Sequence, residues 1–302
     1  MIIDIHAHVF AWPKRMNPNA ATPFMSMQEQ IAMMDAQGVD KAVILPIVNP
    51  ESPAEPQSMG EVLYICDQYP GRFIPFYNLD PRIARRPDRI TVDDYLYLLT
   101  QCKEHGFKGI GEVTARIPWD DPSLLKMLAA CEKVEFPVTF HTITPEVNSY
   151  GLIDDLGFPR FEKALKRFPK LNFLGHSPAF WSEISGDVTP ETKNGYPQTP
   201  VTPGGRLIEL LRNYPGLHGD LSAGSGFNAI TRDPEFGLAF LDEFQDRLLL
   251  GLDYCSRTNT MRHVPWFKEQ LAAGRIRQAV YDKIMWRNAD RLLKLGLDAA
   301  TR

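Results

Sequence analysis

The chain has 302 residues, of which 44% are hydrophobic and 23% charged, a composition typical of a globular protein that buries a large core. Lys and Arg number 33 and Asp and Glu 37, so the net charge of −4 provides no basic excess for a nucleic acid. No apolar stretch approaches the roughly 20 residues needed to cross a bilayer. We therefore expect a protein that binds neither nucleic acid nor a membrane.

The first residues and the cysteines bear on where the protein works. The opening run is apolar and strand-like, and lacks the basic segment and small-residue cleavage site of a secretion signal. Cys66, Cys102, Cys131 and Cys255 have no CxxC spacing, and a chain of this size needs no disulfides. We expect four buried thiols and a cytoplasmic protein.

Short apolar strands alternate with helical stretches about eight times. This alternation is typical of α/β architecture, and eight parallel strands close a TIM-type (β/α)8 barrel. The alternation continues on both sides of the Pro-rich stretch 189–203, which predicts one barrel domain over residues 1–302. The predicted strands are Ile2–Ile5, Ala42–Leu45, Phe73–Tyr77, Gly109–Val113, Val138–His141, Asn172–Gly175, Leu217–Leu221 and Leu248–Leu252.

The helices between these strands have recognisable ends. Ser26 and Glu29 form a capping box that begins the first helix, and Gly38 ends it. The Pro-rich stretches 49–56 and 189–203 follow strands two and six, so we expect them at the carboxyl-terminal rim, where barrel active sites lie. The other predicted helices are 60–68, 93–105, 122–134, 159–167, 206–213, 234–244 and 282–295.

The histidines carry most of the functional information. His6 and His8 share one face of the first strand, because strand side chains alternate. His141, His176 and Asp253 each lie at the end of a later strand. Singly, each has a structural interpretation, as a core histidine bonded to a carbonyl or as a helix cap. Together at one rim they would form a polar, mutually repulsive cluster, which predicts a divalent cation between them.

Glu112 ends the fourth strand and extends this pattern. Its carboxylate either bridges two metal ions or pairs with Arg116 or Lys108. Asp220, at the end of strand seven, either orients a ligand histidine from behind or caps the following turn.

Five further residues are candidates for substrate binding. Trp12 and Trp181 lie in predicted rim loops, where aromatic rings form apolar walls around small substrates. Arg116 and Arg257 are candidate partners for a substrate carboxylate, because guanidinium pairs with carboxylate through two hydrogen bonds. His263 follows strand eight and is placed to reach a substrate.

Taken in order, these motifs resemble the amidohydrolase superfamily, in particular the amidohydrolase-related branch. That branch also contains metal-dependent aromatic acid decarboxylases of the aminocarboxymuconate-semialdehyde decarboxylase type. The resemblance runs from Asp4-Ile5-His6-Ala7-His8 to the closing segment 283–293, and includes Gly175-His176. It implies that the metal is surrounded by His6, His8, His141, His176 and Asp253.

Two positions depart from the decarboxylases of that branch. Glu112 matches the strand-four acid of the binuclear TatD-like members, which the decarboxylases generally lack. This match implies a second metal ion and favours hydrolysis. In Asp253-Tyr254-Cys255 the cysteine stands where the branch commonly has proline, which predicts an altered last loop.

We therefore predict a metal-dependent hydrolase that cleaves an amide, lactone or ester bond of a small organic substrate with a metal-activated water. Asp253 is expected to take a proton from that water and deliver it to the leaving group, with His176 as ligand or oxyanion stabiliser. Zn²⁺ is the expected ion, one or two per chain, roughly 3.5 to 4 Å apart if Glu112 bridges them. Mn²⁺, Fe²⁺ and Co²⁺ also suit His and Asp ligands.

Two other functions remain open from the sequence. A nonoxidative decarboxylase of an aromatic or enol carboxylic acid would use the same ligands, and an arginine facing the metal would help to separate the two reactions. A non-catalytic ligand-binding barrel is the third reading, which the retention of every chemically competent position argues against. The substrate and the oligomeric state stay open, and a homo-oligomer is compatible with the resemblance.

Overall fold

Short parallel strands form the centre of the molecule, and they build a core by pairing side by side. The computed structural model describes residues 1–13, 23–52, 56–83, 86 and 88–297. Within these ranges eight parallel strands follow one another around a barrel. They are β1 (Ile3–Ala7), β2 (Lys41–Ile44), β3 (Phe73–Pro75), β4 (Ile110–Val113), β5 (Val138–Ile143), β6 (Phe173–His176), β7 (Leu217–Asp220) and β8 (Leu248–Leu249).

Two continuous ladders make up this barrel, one of β1 to β3 and one of β4 to β8. Tyr77, just after β3, forms a parallel bridge with Ile110 and joins the two ladders on one side. On the other side Ile5 N donates to Leu250 O at 2.9 Å, and Ala7 bridges to Tyr254. The ring is closed, which confirms the predicted (β/α)8 barrel.

Helices surround the barrel, and the described part of the chain contains no helix long and apolar enough to cross a membrane. The Ser26 capping box and the left-handed Gly38 bound the first helix, as predicted. A π-helical turn, Lys283–Arg287, separates the last two. The helices are α1 (Met27–Gln37), α2 (Met59–Gln68), α3 (Val92–Glu104), α4 (Pro122–Val134), α5 (Pro159–Arg167), α6 (Pro178–Ser182), α7 (Arg206–Asn213), α8 (Ala223–Thr231), α9 (Pro234–Glu243), α10 (His263–Ala272), α11 (Gln278–Asp282) and α12 (Asn288–Leu293).

Three short strands lie outside the barrel ring. Val9–Phe10 pairs with Met25–Ser26, and Leu152–Ile153 pairs with the end of β5. These pairings hold the loops after β1 and β5 over the carboxyl-terminal mouth.

The structure differs from the sequence prediction at the last strand. β8 ends at Leu249 rather than Leu252, because the following residues leave the ladder and bond to β1 instead. Leu252 N donates to Asp4 Oδ1 at 2.8 Å, and Asp253 N donates to His6 O at 2.8 Å. This bend brings Asp253 over the end of the first strand.

The helix α8 escaped sequence prediction because two glycines lower its helix propensity. The structure explains one of them. A Cβ atom on Gly226 would lie 2.3 Å from the Leu221 carbonyl oxygen, so only glycine lets this helix pack so closely against the end of β7. The predicted helix 282–295 is likewise broken into α12 and the π-helical turn that precedes it.

The cysteine prediction is partly confirmed. All four cysteines are free, and Cys102 and Cys131 are buried. The expectation of burial was wrong for Cys66 and Cys255, which are partly exposed. Cys255 lies on the loop after β8 and faces the cavity at the barrel mouth, where an open space prevents full burial.

Candidate metal centre

His6, in β1, and His8, just after it, point their Nε2 atoms toward one another at the barrel mouth. His8 Nδ1 lies 2.9 Å from Leu45 O, and His6 Nδ1 lies 2.6 Å from Asp220 Oδ2. A carbonyl oxygen only accepts, so His8 Nδ1 carries the proton and its Nε2 presents a lone pair. The Nε2 atoms of His6 and His8 are 3.3 Å apart. Their partners therefore fix both rings as ligands toward one point.

The carboxylate of Glu112 lies between two pairs of imidazoles. Its Oε2 is 3.5 Å from His8 Nε2 and 3.7 Å from His6 Nε2. Its Oε1 is 3.0 Å from His141 Nδ1 and 3.9 Å from His176 Nε2. Neither Arg116 nor Lys108 forms an ion pair with it among the described contacts. Of the two sequence interpretations of Glu112, the geometry favours the bridging one.

Asp253 faces the same cluster from the last strand. Its Oδ1 lies 3.4 Å from His8 Nε2 and 3.7 Å from His6 Nε2, and its Oδ2 lies 3.8 Å from His176 Nε2. The residue adopts a left-handed backbone conformation with φ 59°, which Asp tolerates better than most non-glycine residues. The sharp bend after β8 thus turns a carboxylate back over the histidines.

Asp220 and Ser222 hold the ligand rings from behind. Asp220 Oδ2 contacts His6 Nδ1, and Asp220 Oδ1 accepts from Ser222 N at 3.1 Å, so this residue both orients a histidine and stabilises the following turn. Ser222 Oγ lies 2.8 Å from His176 Nδ1 and 3.2 Å from His6 Nδ1. Sequence reasoning missed Ser222. Its position two residues after Asp220, at the end of a barrel strand, is the signal that could have found it.

The donor set of this cluster fits a cation. With Nδ1 of His6 and His8 directed to acceptors, the Nε2 atoms of the two rings face each other and the oxygens of Glu112 and Asp253. Burial opposes a charge on His6, but the carboxylates of Asp220 and Asp253 outweigh it and hold the His6 pKa well above its usual value. A proton on His6 satisfies only one of the facing pairs, whereas a divalent ion can be bound by all of them.

Burial and neighbouring charges also shift the pKa values of the other ionisable groups in the cluster. Burial lowers the pKa of His176 to about 3, so its ring is a neutral ligand at physiological pH. Burial acts to raise the pKa of Glu112, but hydrogen bonds to His141, His6 and His8 outweigh it and hold that pKa well below its usual value. Burial raises the pKa of Asp253. The two carboxylates therefore differ, with Glu112 kept ionised and Asp253 more readily protonated.

The structure brings all six predicted ligands together. Their ligand atoms form three overlapping groups whose members lie within 4.8 Å of one another. Two of the groups share Glu112, which matches a site for one or two ions. The groups are His6, His8 and Glu112; Glu112, His141 and His176; and His6, His176 and Asp253.

A cavity of about 350 Å³ opens above the cluster, a size suited to a small organic molecule. Its wall includes Glu112, Asp253 and the ligand histidines His8, His141 and His176, together with hydroxyl groups and tyrosines. In the part of the chain that the structure describes, no Lys or Arg lines this cavity. The polar wall residues beyond the ligands are Ser52, Thr114, Thr142, Ser149, Tyr150, Asn194, Tyr196, Ser225 and Cys255.

The two tryptophans proposed for substrate binding lie elsewhere. Trp12 is 63% exposed and stacks on Tyr64, with ring centroids 5.1 Å apart. Trp181 is buried, and its Nε1 donates to Asp220 O at 3.0 Å, so it supports the strand behind the cluster. Neither is among the residues that line the cavity. Tyr150, whose ring packs 4.8 Å from that of His141, provides an aromatic wall instead.

The structure does not bring the three basic candidates to the cavity either. Arg116 donates to two backbone carbonyls of the loop after β5, at 3.0 and 3.1 Å. Arg257 is exposed and lies 3.6 Å from Glu29. His263 is buried, and its Nε2 donates to Leu221 O at 2.8 Å. Backbone carbonyls and a surface carboxylate thus occupy the cationic groups that the sequence assigned to a substrate.

A family model described as Amidohydrolase matches residues 3–295 of the chain. The match covers every strand of the barrel and all six clustered ligands. No curated protein matches the sequence significantly.

Solved structures of similar fold span almost the whole chain. An uncharacterised TIM-barrel protein from Bordetella bronchiseptica has 18% identity and a TM-score of 0.65, with 100% of this chain and 99% of that one covered. A probable 2-pyrone-4,6-dicarboxylic acid hydrolase from Acinetobacter baumannii has 14% identity and a TM-score of 0.57, covering 97% and 99%.

A dihydroxybenzoic acid decarboxylase from a Polaromonas species, with bound manganese and the inhibitor 2-nitroresorcinol, has 15% identity and a TM-score of 0.55, covering 98% and 97%. At these identities the likeness establishes the fold. The similar structures include both a hydrolase and a decarboxylase, so they do not choose the reaction.

Proposed function

The chain belongs to the amidohydrolase family and is a metal-dependent enzyme, and from this premise we propose that it hydrolyses an acyl bond of a small organic substrate. The observation that carries the proposal is the position of Glu112. Its two oxygens face different imidazole pairs, His6 with His8 and His141 with His176. A carboxylate so placed can hold two ions side by side, an arrangement suited to activating water for attack on a polarised carbonyl.

The ligands divide into two groups around that carboxylate. His6, His8 and Asp253 would hold an ion on one side, and His141 and His176 on the other, with Glu112 common to both. When bound, such ions supply Lewis acidity and lower the pKa of a coordinated water toward about 7. Imidazole and carboxylate ligands suit Zn²⁺, which we propose as the native ion, although Mn²⁺ shares the same ligand types.

Asp253 is the group we propose to move protons. Its carboxyl is 19% exposed, against 0% for His6 and 5% for Glu112, so it is the cluster's most accessible carboxylate from the cavity. Burial raises its pKa, which favours transient protonation. Asp253 accepts a proton from the attacking water at a carboxylate oxygen and delivers it to the leaving group. Glu112, with its lowered pKa, stays an ionised ligand.

Decarboxylation is the competing reaction, and it would use the same ligands. The cavity wall bears on a substrate carboxylate held away from the ions, which would need a cationic partner, and the described wall contains no Lys or Arg. Arg116, a sequence candidate for that task, is engaged with backbone carbonyls.

Elemental analysis combined with product assays tests the proposal. The purified, metal-loaded protein is incubated with lactones, amides and aromatic carboxylates, while acid production and carbon dioxide are measured separately. We expect acid production without carbon dioxide, close to two ions per chain, and about one ion in Glu112→Gln. Glu104→Gln, an exposed change on α3, is the matched control and should retain both ions. Carbon dioxide release without hydrolysis would contradict the proposal.

A further inference from the structure

A chain of hydrogen bonds behind the cavity wall fixes the direction of one hydroxyl group. Asn49 Nδ2 donates to Asp80 Oδ2 at 2.9 Å, and Arg82 Nη2 lies 2.6 Å from that same oxygen, so Asp80 is an ionised acceptor. The Asn49 amide is thereby oriented, with Oδ1 turned toward Thr114. Thr114 N and Thr114 Oγ1 both donate to Asn49 Oδ1, at 2.8 and 3.0 Å.

The direction of these bonds decides what Ser52 can offer. Thr114 Oγ1 has already given its only proton to Asn49, so it must accept from its other partner. That partner is Ser52 Oγ, 2.5 Å away, which therefore donates its proton to Thr114. The remaining lone pairs of Ser52 are left for the cavity, whose wall includes both residues. At this point the cavity presents a hydrogen-bond acceptor.

A second hydroxyl on the wall has no partner in the described structure. Ser225, on α8, is 3% exposed, and its Oγ is buried without a hydrogen bond. A buried polar group of this kind costs stability until something pairs with it. Because Ser225 lines the same cavity as Ser52, a bound molecule is a natural source of that partner.

The charges on the wall complete the picture. The described residues of the wall carry no Lys or Arg, and the carboxylates among them, Glu112 and Asp253, belong to the ligand cluster. Among the described wall residues, a substrate carboxylate beyond the reacting group would meet no Lys or Arg and would face the acceptor Ser52. Such a site disfavours an anionic substrate in two ways, because the carboxylate faces the acceptor oxygen of Ser52 and finds no cationic partner among the described wall residues.

We propose that the substrate is a neutral molecule bearing a hydroxyl group that donates to Ser52 Oγ, with Ser225 as a second contact. This inference rests on the proposed hydrolysis and names the substrate class for it. In the reaction, the water oxygen bonds to the acyl carbon, and the bond from that carbon to the leaving oxygen breaks. The proton passes to the leaving oxygen, and the product is a neutral alcohol group and a carboxylic acid.

Matched lactones of one ring size test the substrate class. One set carries hydroxyl substituents, one carries carboxylate substituents and one carries neither. We expect kcat/KM to be at least tenfold higher for the hydroxylated set than for either other set. Preference for the carboxylated set overturns this inference but leaves hydrolysis standing. Carbon dioxide release without hydrolysis overturns the proposed function and this inference with it, whereas turnover of none of the lactones overturns this inference alone.

Variants of the hydrogen-bond chain Asn49–Thr114–Ser52, here called the relay, separate substrate recognition from folding. With the hydroxylated lactone, Ser52→Ala should raise KM about tenfold with kcat within a factor of two, since one hydrogen bond is lost in both ground and transition states. Thr114→Val frees the Ser52 proton, so Ser52 becomes a donor and the preference for hydroxyl over methoxy substituents should fall. Thr114→Ser keeps the relay and should behave like the wild type.

A metal titration of Ser52→Ala and Thr114→Val should give the wild-type number of bound ions, since neither residue is in the ligand cluster. Unchanged KM in Ser52→Ala, or an unchanged substituent preference in Thr114→Val at wild-type metal content, would overturn the assignment of Ser52.

Discussion

Two buried clusters of charged residues differ in whether the protein provides a partner for each charged group. Lys193 and Glu183 pair at 2.7 Å with side chains 0% and 1% exposed. Lys193 Nζ also donates to Asp155 O at 2.7 Å and lies 4.0 Å from the centre of the Phe158 ring. Every group in this cluster has an opposite partner, so it fastens the long loop after β6 to the barrel.

The cluster at the barrel mouth is less completely paired. Apart from His141 Nδ1, which lies 3.0 Å from Glu112 Oε1, its nitrogen and oxygen atoms face one another at 3.3 to 3.9 Å, beyond ordinary hydrogen-bond length for most pairs. The contrast shows how the same fold can use buried charge in two ways. A cluster that closes on itself stabilises a loop, whereas one with converging lone pairs binds a cation.

The largest expected effect is a loss of kcat from a substitution in the ligand cluster at the barrel mouth. Asp253→Asn removes the proposed proton acceptor, and kcat should fall about 10²- to 10⁴-fold on the substrate found in the screen. Asp67→Asn, an exposed change on α2, is the control and should keep wild-type kcat. Steady-state kinetics on metal-loaded proteins measures both. A kcat within a factor of three of the wild type would remove Asp253 from the chemistry.

Breaking the buried Lys193–Glu183 ion pair should lower stability and leave activity unaffected. Lys193→Met leaves Glu183 buried without its cation, so the free energy of unfolding should fall by about 3–5 kcal/mol. Urea denaturation of the metal-free protein measures it. Lys166→Met, which breaks the exposed i,i+4 pair with Glu162, should cost under about 0.5 kcal/mol. Equal losses in the two variants would contradict the comparison.

Asp220 supports the metal cluster without belonging to it. Asp220→Asn weakens the hold on His6 Nδ1, and the affinity for Zn²⁺ should fall about 10- to 100-fold. Competition with a chromophoric chelator measures this affinity. Ser222→Ala, which removes a neutral partner of the His176 ring, should have a smaller effect. An unchanged affinity in Asp220→Asn would show that His6 is positioned by other contacts.

The last effect, which depends on pH, concerns a buried histidine outside both clusters. Burial, with Arg247 and Arg291 nearby, lowers the pKa of His218 to about 3, against about 6.5 in the unfolded chain. Between these values the unfolded state binds one more proton, so stability falls with decreasing pH by about 1.4 kcal/mol per unit. His218→Gln should show a shallower loss between pH 6 and pH 4 by urea denaturation. Parallel profiles would contradict the lowered pKa.

Much of the barrel followed from local patterns. All eight predicted strands are present, and the helices Pro122–Val134, Pro159–Arg167 and Arg206–Asn213 begin and end where predicted. Proline at the first turn begins the first two of these helices, and apolar periodicity marks such helices without tertiary help. The helix α8 was missed because its two glycines lower helix propensity, and the close packing that requires Gly226 is not reported by local sequence.

The ligand cluster was predictable for a related reason. Each of its members lies near the carboxyl end of a barrel strand or just after it, and parallel strands of a barrel deliver these ends to one rim. The substrate-binding candidates lacked such a constraint. Trp181 and Arg116 lie in segments whose contacts depend on how loops pack, and both turned to backbone carbonyls.

The sequence by itself determined the eight-strand barrel and the six side chains at its rim. The apolar pattern and the order of the strands can be read locally, and a closed parallel barrel brings the carboxyl end of every strand to the same rim. Only the tertiary structure decided which way Glu112 faces and that Asp220 and Ser222 support the ligands. It also decided that Ser52 gives its proton to Thr114 and leaves lone pairs for the cavity. These depend on distances between residues far apart in the chain, and on how the available protons are shared among them.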